Sequence, residues 1–176
     1  VLVFATYQYI AGSENDIFEQ GRLDGKIAPI ALITLSNPIR PNAKATFDYF
    51  TQQGVEIKVI SGDNPLTASV AAVEAGIPNA ERYLDCSKIS DKKALAKAAA
   101  DYTVFGRVTP EQKRLLIQAI KKAGHTVTMT GDGVNDVLAL KDADCSIAMA
   151  SGSDAAANVS DLVLLSSDFA SMPHVV

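Results

Sequence analysis

Residues 126–141 read TVTMTGDGVNDVLALK. The stretch begins with a short apolar strand pattern and ends in a helical pattern, and its glycines and aspartates lie between the two. In a parallel sheet, ligands bind beyond the carboxyl ends of the strands, and glycine lets the backbone approach a phosphate or a hydrated metal ion closely. We therefore expect Asp132 to face a pocket at the end of the strand Thr126 to Met129.

Asp132 and Asp136 are candidates for a magnesium site. Mg²⁺ takes only one or two protein carboxylates and completes its octahedron with water and substrate phosphate. A bare Gly-Asp-Gly is equally typical of a glycine turn whose aspartate caps a helix. The full seven residues, 130–136, are far more specific than that tripeptide.

A second strand pattern, Glu56 to Ile60, ends in Ser61-Gly62-Asp63-Asn64. A helix is predicted to begin directly after it. A hydroxyl beside a helix amino terminus can hydrogen-bond a phosphoryl oxygen, and the free backbone amides there add positive potential. Because serine, aspartate and asparagine are also the commonest helix caps, this loop alone is weak evidence for a site.

Lys113 is the third candidate. It lies in the first turn of a helix that Thr109 can cap, with Pro110 at the first position, Gln112 completing a capping box and Gly124 as the stop. A lysine at this position can neutralise charge on a transferring phosphoryl group, although a lone helical lysine is ordinarily a solvated surface residue. Arg107, just before the helix, is a lesser candidate for a phosphate or ribose contact.

The remaining pattern predicts an α/β fold with a parallel sheet flanked by helices. Short apolar runs alternate with helical patterns from Val55 onward, and the runs are too short and continuous for solvent-facing strands, so we expect them to be central. The predicted strands are residues 56–60, 102–105, 126–129, 146–149 and 162–165, and the predicted helices 41–53, 65–75, 91–100 and 110–123. Before Val55, two strands joined by the polar stretch 11–25 are expected, with 37–41 as a hinge.

Composition excludes some classes of function. The 176 residues are 48% hydrophobic and 20% charged with a net charge of -4, so no basic nucleic-acid-binding surface is indicated. The longest nearly uncharged apolar stretch, Ile27 to Leu35, is far shorter than the roughly 20 residues that cross a bilayer. Cys86 and Cys145 imply no disulfide framework. We expect a soluble piece in a reduced, cytoplasmic setting.

A hydroxyl, a lysine and an aspartate, each after a separate strand and in this order, resemble the last three of the four motifs of the haloacid dehalogenase phosphotransferases. Within that superfamily, residues 61–64, 105–113 and 130–141 resemble the P-type ATPases, which are ATP-driven membrane cation pumps. The resemblance covers roughly Asn37 to the end. It implies terminal strands of a nucleotide-binding domain and hinge over 1–36, a phosphorylation domain over 37–168 and the start of a link to the membrane stalk over 169–176.

The chain departs from the family pattern in places. The family usually has an acidic residue at the position of Asn37 and often threonine at that of Ser61, and residues 148–153 are closer to a bacterial branch. The first motif, an aspartate after a buried strand followed by lysine, threonine and glycine, is absent. Neither Asp24-Gly25-Lys26 nor Asp142-Ala143-Asp144 is a credible nucleophile. A missing nucleophile strand predicts a gap in the centre of the sheet.

For a parent pump, the resemblance implies phosphoryl transfer from ATP to that aspartate, then hydrolysis of the acyl phosphate, coupled to cation transport at the cytoplasmic face of the cell membrane. The implied partners are the nucleophile strand, the nucleotide-binding domain and the membrane helices, with no nucleic acid, and the implied cofactors are Mg²⁺ and ATP. The chain itself is expected to be inactive. The resemblance also implies a role for each candidate residue. Asp132 would hold Mg²⁺, and Asp136 and Asn135 would order water and the neighbouring loops. Ser61 and Gly62 would hold phosphoryl oxygens, Lys113 would balance their charge, and nucleotide contacts would come from Asp63, Arg40 and Arg107.

Two alternatives remain open. One is a stand-alone phosphatase of the same superfamily whose nucleophile is not recognisable. The other is a non-catalytic module that binds nucleotide or a protein partner through the same loops. The missing aspartate disfavours the first alternative, and the joint presence of Asp132, Lys113 and Ser61 disfavours the second.

Overall fold

The structure, a computed structural model, describes residues 2–7, 27–35 and 38–174. The chain divides into two compact units, Val1–Pro38 and Ile39–Val176. In the first unit, strand β1 (Leu2–Tyr7) pairs antiparallel with strand β2 (Ile27–Ile33). The two strands expected there are present. The expected loop over 11–25, Asp24-Gly25-Lys26 and Asn37 lie outside the described residues.

The second unit alternates strands and helices. Its strands are β3 (Val59–Ile60), β4 (Tyr83–Asp85), β5 (Val104–Gly106), β6 (Thr128–Gly131), β7 (Cys145–Met149) and β8 (Leu162–Leu164). Its α-helices are α1 (Ala43–Gln52), α2 (Pro65–Glu74), α3 (Lys92–Asp101), α4 (Pro110–Lys122), α5 (Val137–Asp142) and α6 (Asp154–Ala157), with 3₁₀ turns at Cys86–Lys88, Val134–Asp136 and Phe169–His174. No helix in the described ranges combines the length and apolar character needed to cross a bilayer.

The described strands of the second unit form two parallel sheets of three strands each. β5 lies between β3 and β4, and β7 lies between β6 and β8. The predicted α/β fold with parallel strands and flanking helices is confirmed. Within residues 38–174, β3 and β6 are both edge strands that do not pair with each other, so the described sheet is not continuous.

The expectation that all five predicted strands are central is wrong. Among the strands of residues 38–174, only β5 and β7 have a described strand on both sides, and Leu162 and Val163 of the edge strand β8 are more than a third exposed. A run of three apolar residues does not distinguish a central strand from an edge strand that is covered on one face. Strand β4 was not predicted, because its residues, Tyr83-Leu84-Asp85, do not form the apolar run that indicated the other strands.

Helix α4 connects the two sheets. The predicted capping box is present: the Gln112 amide donates to the Thr109 hydroxyl, and the Gln112 side chain accepts from the Thr109 amide. Leu116 packs into a core with Phe105 of one sheet, whereas its neighbour Ile117 packs into a core with Met129 of the other. Each buried aliphatic side chain contributes about 2 kcal/mol. The helix therefore fixes the two sheets relative to each other.

The other predicted helices are also confirmed to within two residues. Asn64 caps α2 through its side chain, which accepts from the Leu66 amide, and Asp91 caps α3. Gly124, with a φ of 94°, follows α4 in the left-handed conformation that ends many helices. The helical register of these segments was readable because their caps and stops are local in sequence.

Candidate functional site

Two loops and the first turn of helix α4 meet at a cleft of about 340 Å³ between the carboxyl ends of β3 and β6. Its lining residues are Ile60, Ser61, Gly62, Lys113, Met129, Thr130, Gly131, Asp132, Asp136 and Met149. The sequence-predicted residues Ser61, Gly62, Lys113, Asp132 and Asp136 are thus brought together. They come from the β3–α2 loop, the first turn of α4 and the β6–α5 loop.

Lys113 and Asp136 form a nearly buried ion pair. Lys113 Nζ lies 2.6 Å from Asp136 Oδ1, and the side chains are 12% and 9% exposed. The other carboxylate oxygen of Asp136 accepts from the Gly133 amide at 3.1 Å. Both oxygens of Asp136 are therefore engaged, and this residue holds the ammonium group of Lys113 at the cleft.

Asp132 is exposed in the cleft and supported from behind. Its carbonyl accepts from the Ser153 amide at 2.7 Å. A Cβ at Gly152 would lie 2.5 Å from that carbonyl oxygen and 3.0 Å from the Asp132 Cβ, so only glycine fits here. The β7–α6 loop therefore sets the position of Asp132 by direct backbone packing.

The residues of the cleft fit a magnesium ion bound together with a phosphate. The described residues contain no group of three or more His, Cys, Asp or Glu side chains that could enclose a metal ion. Mg²⁺ needs no such cage, because one or two carboxylates suffice when phosphate and water supply the other oxygens. Since Asp136 is committed to Lys113 and Gly133, Asp132 is the carboxylate that fits this role.

The β3–α2 loop presents a hydroxyl and an open glycine. Ser61 Oγ accepts from the Asp63 amide at 3.0 Å and donates to the Asp63 carboxylate at 3.2 Å. A Cβ at Gly62 would meet nothing within 4 Å. The space on the Cβ side of Gly62 is therefore not filled by the described part of the protein.

The other predicted binding residues lie away from the lining of the cleft. Asn135 is exposed, and Asp63 contacts Ser61 from its own loop. Arg40 lies 3.4 Å from Asp168, and Arg107 lies 3.0 Å from Asp85. Nucleotide contacts by Asp63, Arg40 and Arg107 stay predictions.

Sequence reasoning missed Gly152 and Ser153. The segment Ala150-Ser151-Gly152-Ser153 directly follows β7, which pairs with β6, the strand before Asp132. This position was the signal that could have identified Gly152 and Ser153. The carboxyl ends of neighbouring parallel strands meet at one edge, so a glycine after β7 is expected to lie near the loop after β6.

The family model for haloacid dehalogenase-like hydrolases matches residues 7–144. The chain belongs to this family. Among curated proteins, this haloacid dehalogenase-like chain is 51% identical over 150 residues to the "Probable cation-transporting ATPase exp7" of Streptococcus pneumoniae, with 85% of this chain and 19% of that protein covered. It is 46% identical over 159 residues to the "Calcium-transporting ATPase CtpE" of Mycobacterium bovis, with 90% of this chain and 20% of the relative covered.

The chain thus spans about a fifth of the length of these two curated relatives. Among solved structures, it is similar to the catalytic domain of the CPx-ATPase CopB-B, with a TM-score of 0.63, 29% identity and coverage of 86% of this chain and 51% of that one. The resemblance to cation-transporting ATPases that the motifs predicted is confirmed by these relatives.

Proposed function

We propose that this haloacid dehalogenase-like chain forms the phosphate-binding and magnesium-binding part of the phosphorylation domain of an ATP-driven cation pump. The observation that carries the proposal is the convergence of Ser61, Lys113 and Asp132 on one cleft between β3 and β6. A hydroxyl, a cation and a free carboxylate are the groups that phosphoryl transfer requires from a protein, since this reaction depends on positioning and charge neutralisation.

The residues of the chain act on the phosphoryl group from two sides. The Gly62 amide donates to its oxygens from the end of β3, and the Ser61 hydroxyl does so once its proton turns away from the Asp63 carboxylate. The Lys113 ammonium group balances the negative charge of these oxygens from α4. Because Asp136 fixes Lys113 by an ion pair of 2.6 Å, the charge is in place before the phosphate arrives. Such preorganisation is what makes electrostatic stabilisation effective in a transition state.

Asp132 would hold Mg²⁺ together with phosphate oxygens and water. When bound, the metal ion neutralises charge on the phosphoryl group and orients it for in-line displacement. The Ser153 amide and Gly152 keep the Asp132 backbone in position for this role.

The nucleophile of the proposed reaction is an aspartate on a strand that pairs between β3 and β6. Its carboxylate oxygen attacks the γ-phosphorus of ATP, the bond to the β–γ bridging oxygen breaks, and ADP leaves. Water then hydrolyses the acyl phosphate to inorganic phosphate and restores the carboxylate. The 176 residues contain no Asp-Lys-Thr-Gly, so the chain alone is expected to complete no turnover.

The partners in this proposal are the other parts of a pump: the nucleophile strand, a nucleotide-binding domain that delivers ATP, and membrane helices that carry the cation. The chain would then act at the cytoplasmic face of a membrane. The names of the curated relatives, which include cation-transporting and calcium-transporting ATPases, support this class of transport without specifying the ion.

The test combines metal binding with turnover. We would measure Mg²⁺ binding by titration calorimetry in the presence of inorganic phosphate, and hydrolysis of p-nitrophenyl phosphate, for the purified chain, for Asp132→Asn and for the exposed-surface control Lys97→Ala. The expected result is Mg²⁺ binding in the parent chain and the control, loss of binding in Asp132→Asn, and hydrolysis in none.

Two outcomes would contradict the proposal. Hydrolysis that is lost in Asp132→Asn would indicate a complete phosphatase with a nucleophile of its own. Equal Mg²⁺ affinity in all three proteins would remove Asp132 from the metal site.

A further inference from the structure

We propose that Asp85 and Arg107 are positioning residues that hold the Ser61–Asp63 loop in its phosphate-binding conformation. Arg107 Nη1 donates to Asp85 Oδ2 at 3.0 Å. The pair joins the turn after β5 to the end of β4, 22 residues away in sequence. The assignment of the Ser61–Asp63 loop to phosphate rests on the proposed function, whereas the positioning contacts do not.

The backbone at Arg107 is the centre of this device. Its φ of 52° is in the left-handed region, which an arginine rarely adopts. In that conformation the Arg107 amide donates to the Asp63 carbonyl at 2.8 Å, and the Val108 amide donates to the Ser61 carbonyl at 3.0 Å. The two carbonyls bracket Gly62, so these bonds define the path of the loop at the cleft.

Steric packing leaves the loop few alternatives. A Cβ at Gly106 would lie 2.3 Å from the Pro65 Cα, so the β5 end and the α2 start are in direct backbone contact. The Ser61 amide also donates to the Phe105 carbonyl at 2.9 Å. The chain therefore passes from β5 into α4 through a tight turn that packs directly against the Ser61–Asp63 loop.

Asp85 is well placed to stabilise this turn. Its side chain is only 15% exposed, and its Oδ1 accepts hydrogen bonds from the Ser87 amide and hydroxyl. The carboxylate is therefore held in place independently of its contact with Arg107. Gln112 donates to the Cys86 and Ile89 carbonyls and so ties the same segment to the first turn of α4, which carries Lys113. One segment, residues 85–89, thus supports both sides of the cleft.

This arrangement distinguishes a positioning role from a direct nucleotide contact. If Arg107 positions the loop through its backbone, glycine should substitute for it better than alanine, because glycine adopts positive φ without steric cost. If Arg107 binds nucleotide through its guanidinium group, glycine and alanine should be equally harmful. Releasing the group with Asp85→Asn would then leave nucleotide affinity unchanged or raise it.

The first measurement uses NMR to monitor amide hydrogen exchange at residues 107 and 108. The proteins compared are the parent chain, Arg107→Gly, Arg107→Ala, Asp85→Asn and the surface control Lys97→Ala. We expect protection to fall roughly two- to fivefold in Arg107→Ala, because alanine keeps the left-handed cost that arginine already bears and loses the half-exposed ion pair to Asp85. A loss of similar size is expected in Asp85→Asn, which removes the same ion pair. Arg107→Gly should stay closer to the parent chain than Arg107→Ala.

The second measurement is the shift of the Gly62 amide resonance on titration with inorganic phosphate and Mg²⁺. The phosphate affinity of the variants should follow the same order as their amide protection. A substitution that only lowers the stability of the fold would leave the phosphate affinity measured at Gly62 unchanged. Equal protection in all five proteins, or equal losses in Arg107→Gly and Arg107→Ala, would overturn the positioning role. Absence of any phosphate-induced shift in the parent chain would instead contradict the proposed function, and the exchange data would still decide the role of Arg107.

Discussion

The Lys113 ammonium group lies 2.6 Å from the Asp136 carboxylate, in an ion pair that links the first turn of α4 to the β6–α5 loop. Its side chains are 12% and 9% exposed, so neither charge is well solvated. Helix α4, which connects the two sheets, is thereby joined to the loop that carries Asp132. The ion pair therefore couples the position of the cleft cation to the position of the candidate metal ligand.

Asp136→Asn should be strongly destabilising. Removing one charge leaves Lys113 nearly buried without its counter-ion, and breaking such a pair costs about 3 kcal/mol of unfolding free energy. Chemical denaturation monitored by circular dichroism measures the change. In a double-mutant cycle with Lys113→Met, the second substitution should cost much less than it does alone. Additive losses would show that the two side chains do not interact.

Gly152→Ala should weaken Mg²⁺ binding in the presence of phosphate. The added methyl group would lie 2.5 Å from the Asp132 carbonyl oxygen, so Asp132 must shift. Substitution of a residue that orients a metal ligand typically lowers the metal affinity by roughly tenfold or more. Titration calorimetry checks this result, with the neighbouring exposed residue changed in Ser151→Ala as the control. An unchanged affinity in Gly152→Ala would mean that Gly152 does not set the position of Asp132 for Mg²⁺ binding.

Asp161 should make the fold sensitive to acid. Hydrogen bonds from the Ser146 hydroxyl and amide hold the pKa of Asp161 below its usual value of 3.8. Because the folded state binds this proton less tightly than the unfolded chain, the contribution of Asp161 is present above pH 3.8 and is lost as the pH falls through the lower folded pKa. Unfolding free energies measured between pH 2 and 6 should therefore depend less on pH in Asp161→Asn. An identical slope in both proteins would remove Asp161 as a cause of acid sensitivity.

Cys86 should be unreactive in the folded chain. Burial, with a smaller contribution from the Asp85 charge, raises its pKa to about 11, and its side chain is fully covered. In Cys145→Ala, which leaves Cys86 as the single thiol, labelling with a thiol reagent at pH 8 should be about two orders of magnitude slower when folded than in guanidinium chloride. Equal rates in the two states would mean that this core is open to solvent.

Features that are local in sequence were predictable. Helix α4 was identified from Thr109, Pro110, Gln112 and Gly124, because caps and stops act over a few residues. The loops after β3 and β6 were identified because strand, polar turn and helix follow one another without interruption. The α/β class followed from the same alternation.

Features that depend on distant partners were not predictable. Arg107 looked like a free cation beside the cleft, yet Asp85 holds it from 22 residues away, and Arg40 pairs with Asp168. Asp136 is expected from the sequence to order water and loops beside the metal ion, and the structure shows that both its oxygens are engaged by Lys113 and Gly133. Pairing of this kind depends on the three-dimensional fold, and no periodicity in the sequence encodes it.

Within the described part of the chain, β3 and β6 each have one edge that pairs with no strand, and this has a thermodynamic consequence. A segment that pairs with both edges would bind the folded chain and not the unfolded one, so its binding free energy would be added to the stability of the fold. If that segment carries the nucleophile, a single binding equilibrium both completes the sheet and brings the nucleophile into the site. The melting temperature would then rise with the concentration of the segment and would report how much of the protein is competent for phosphorylation.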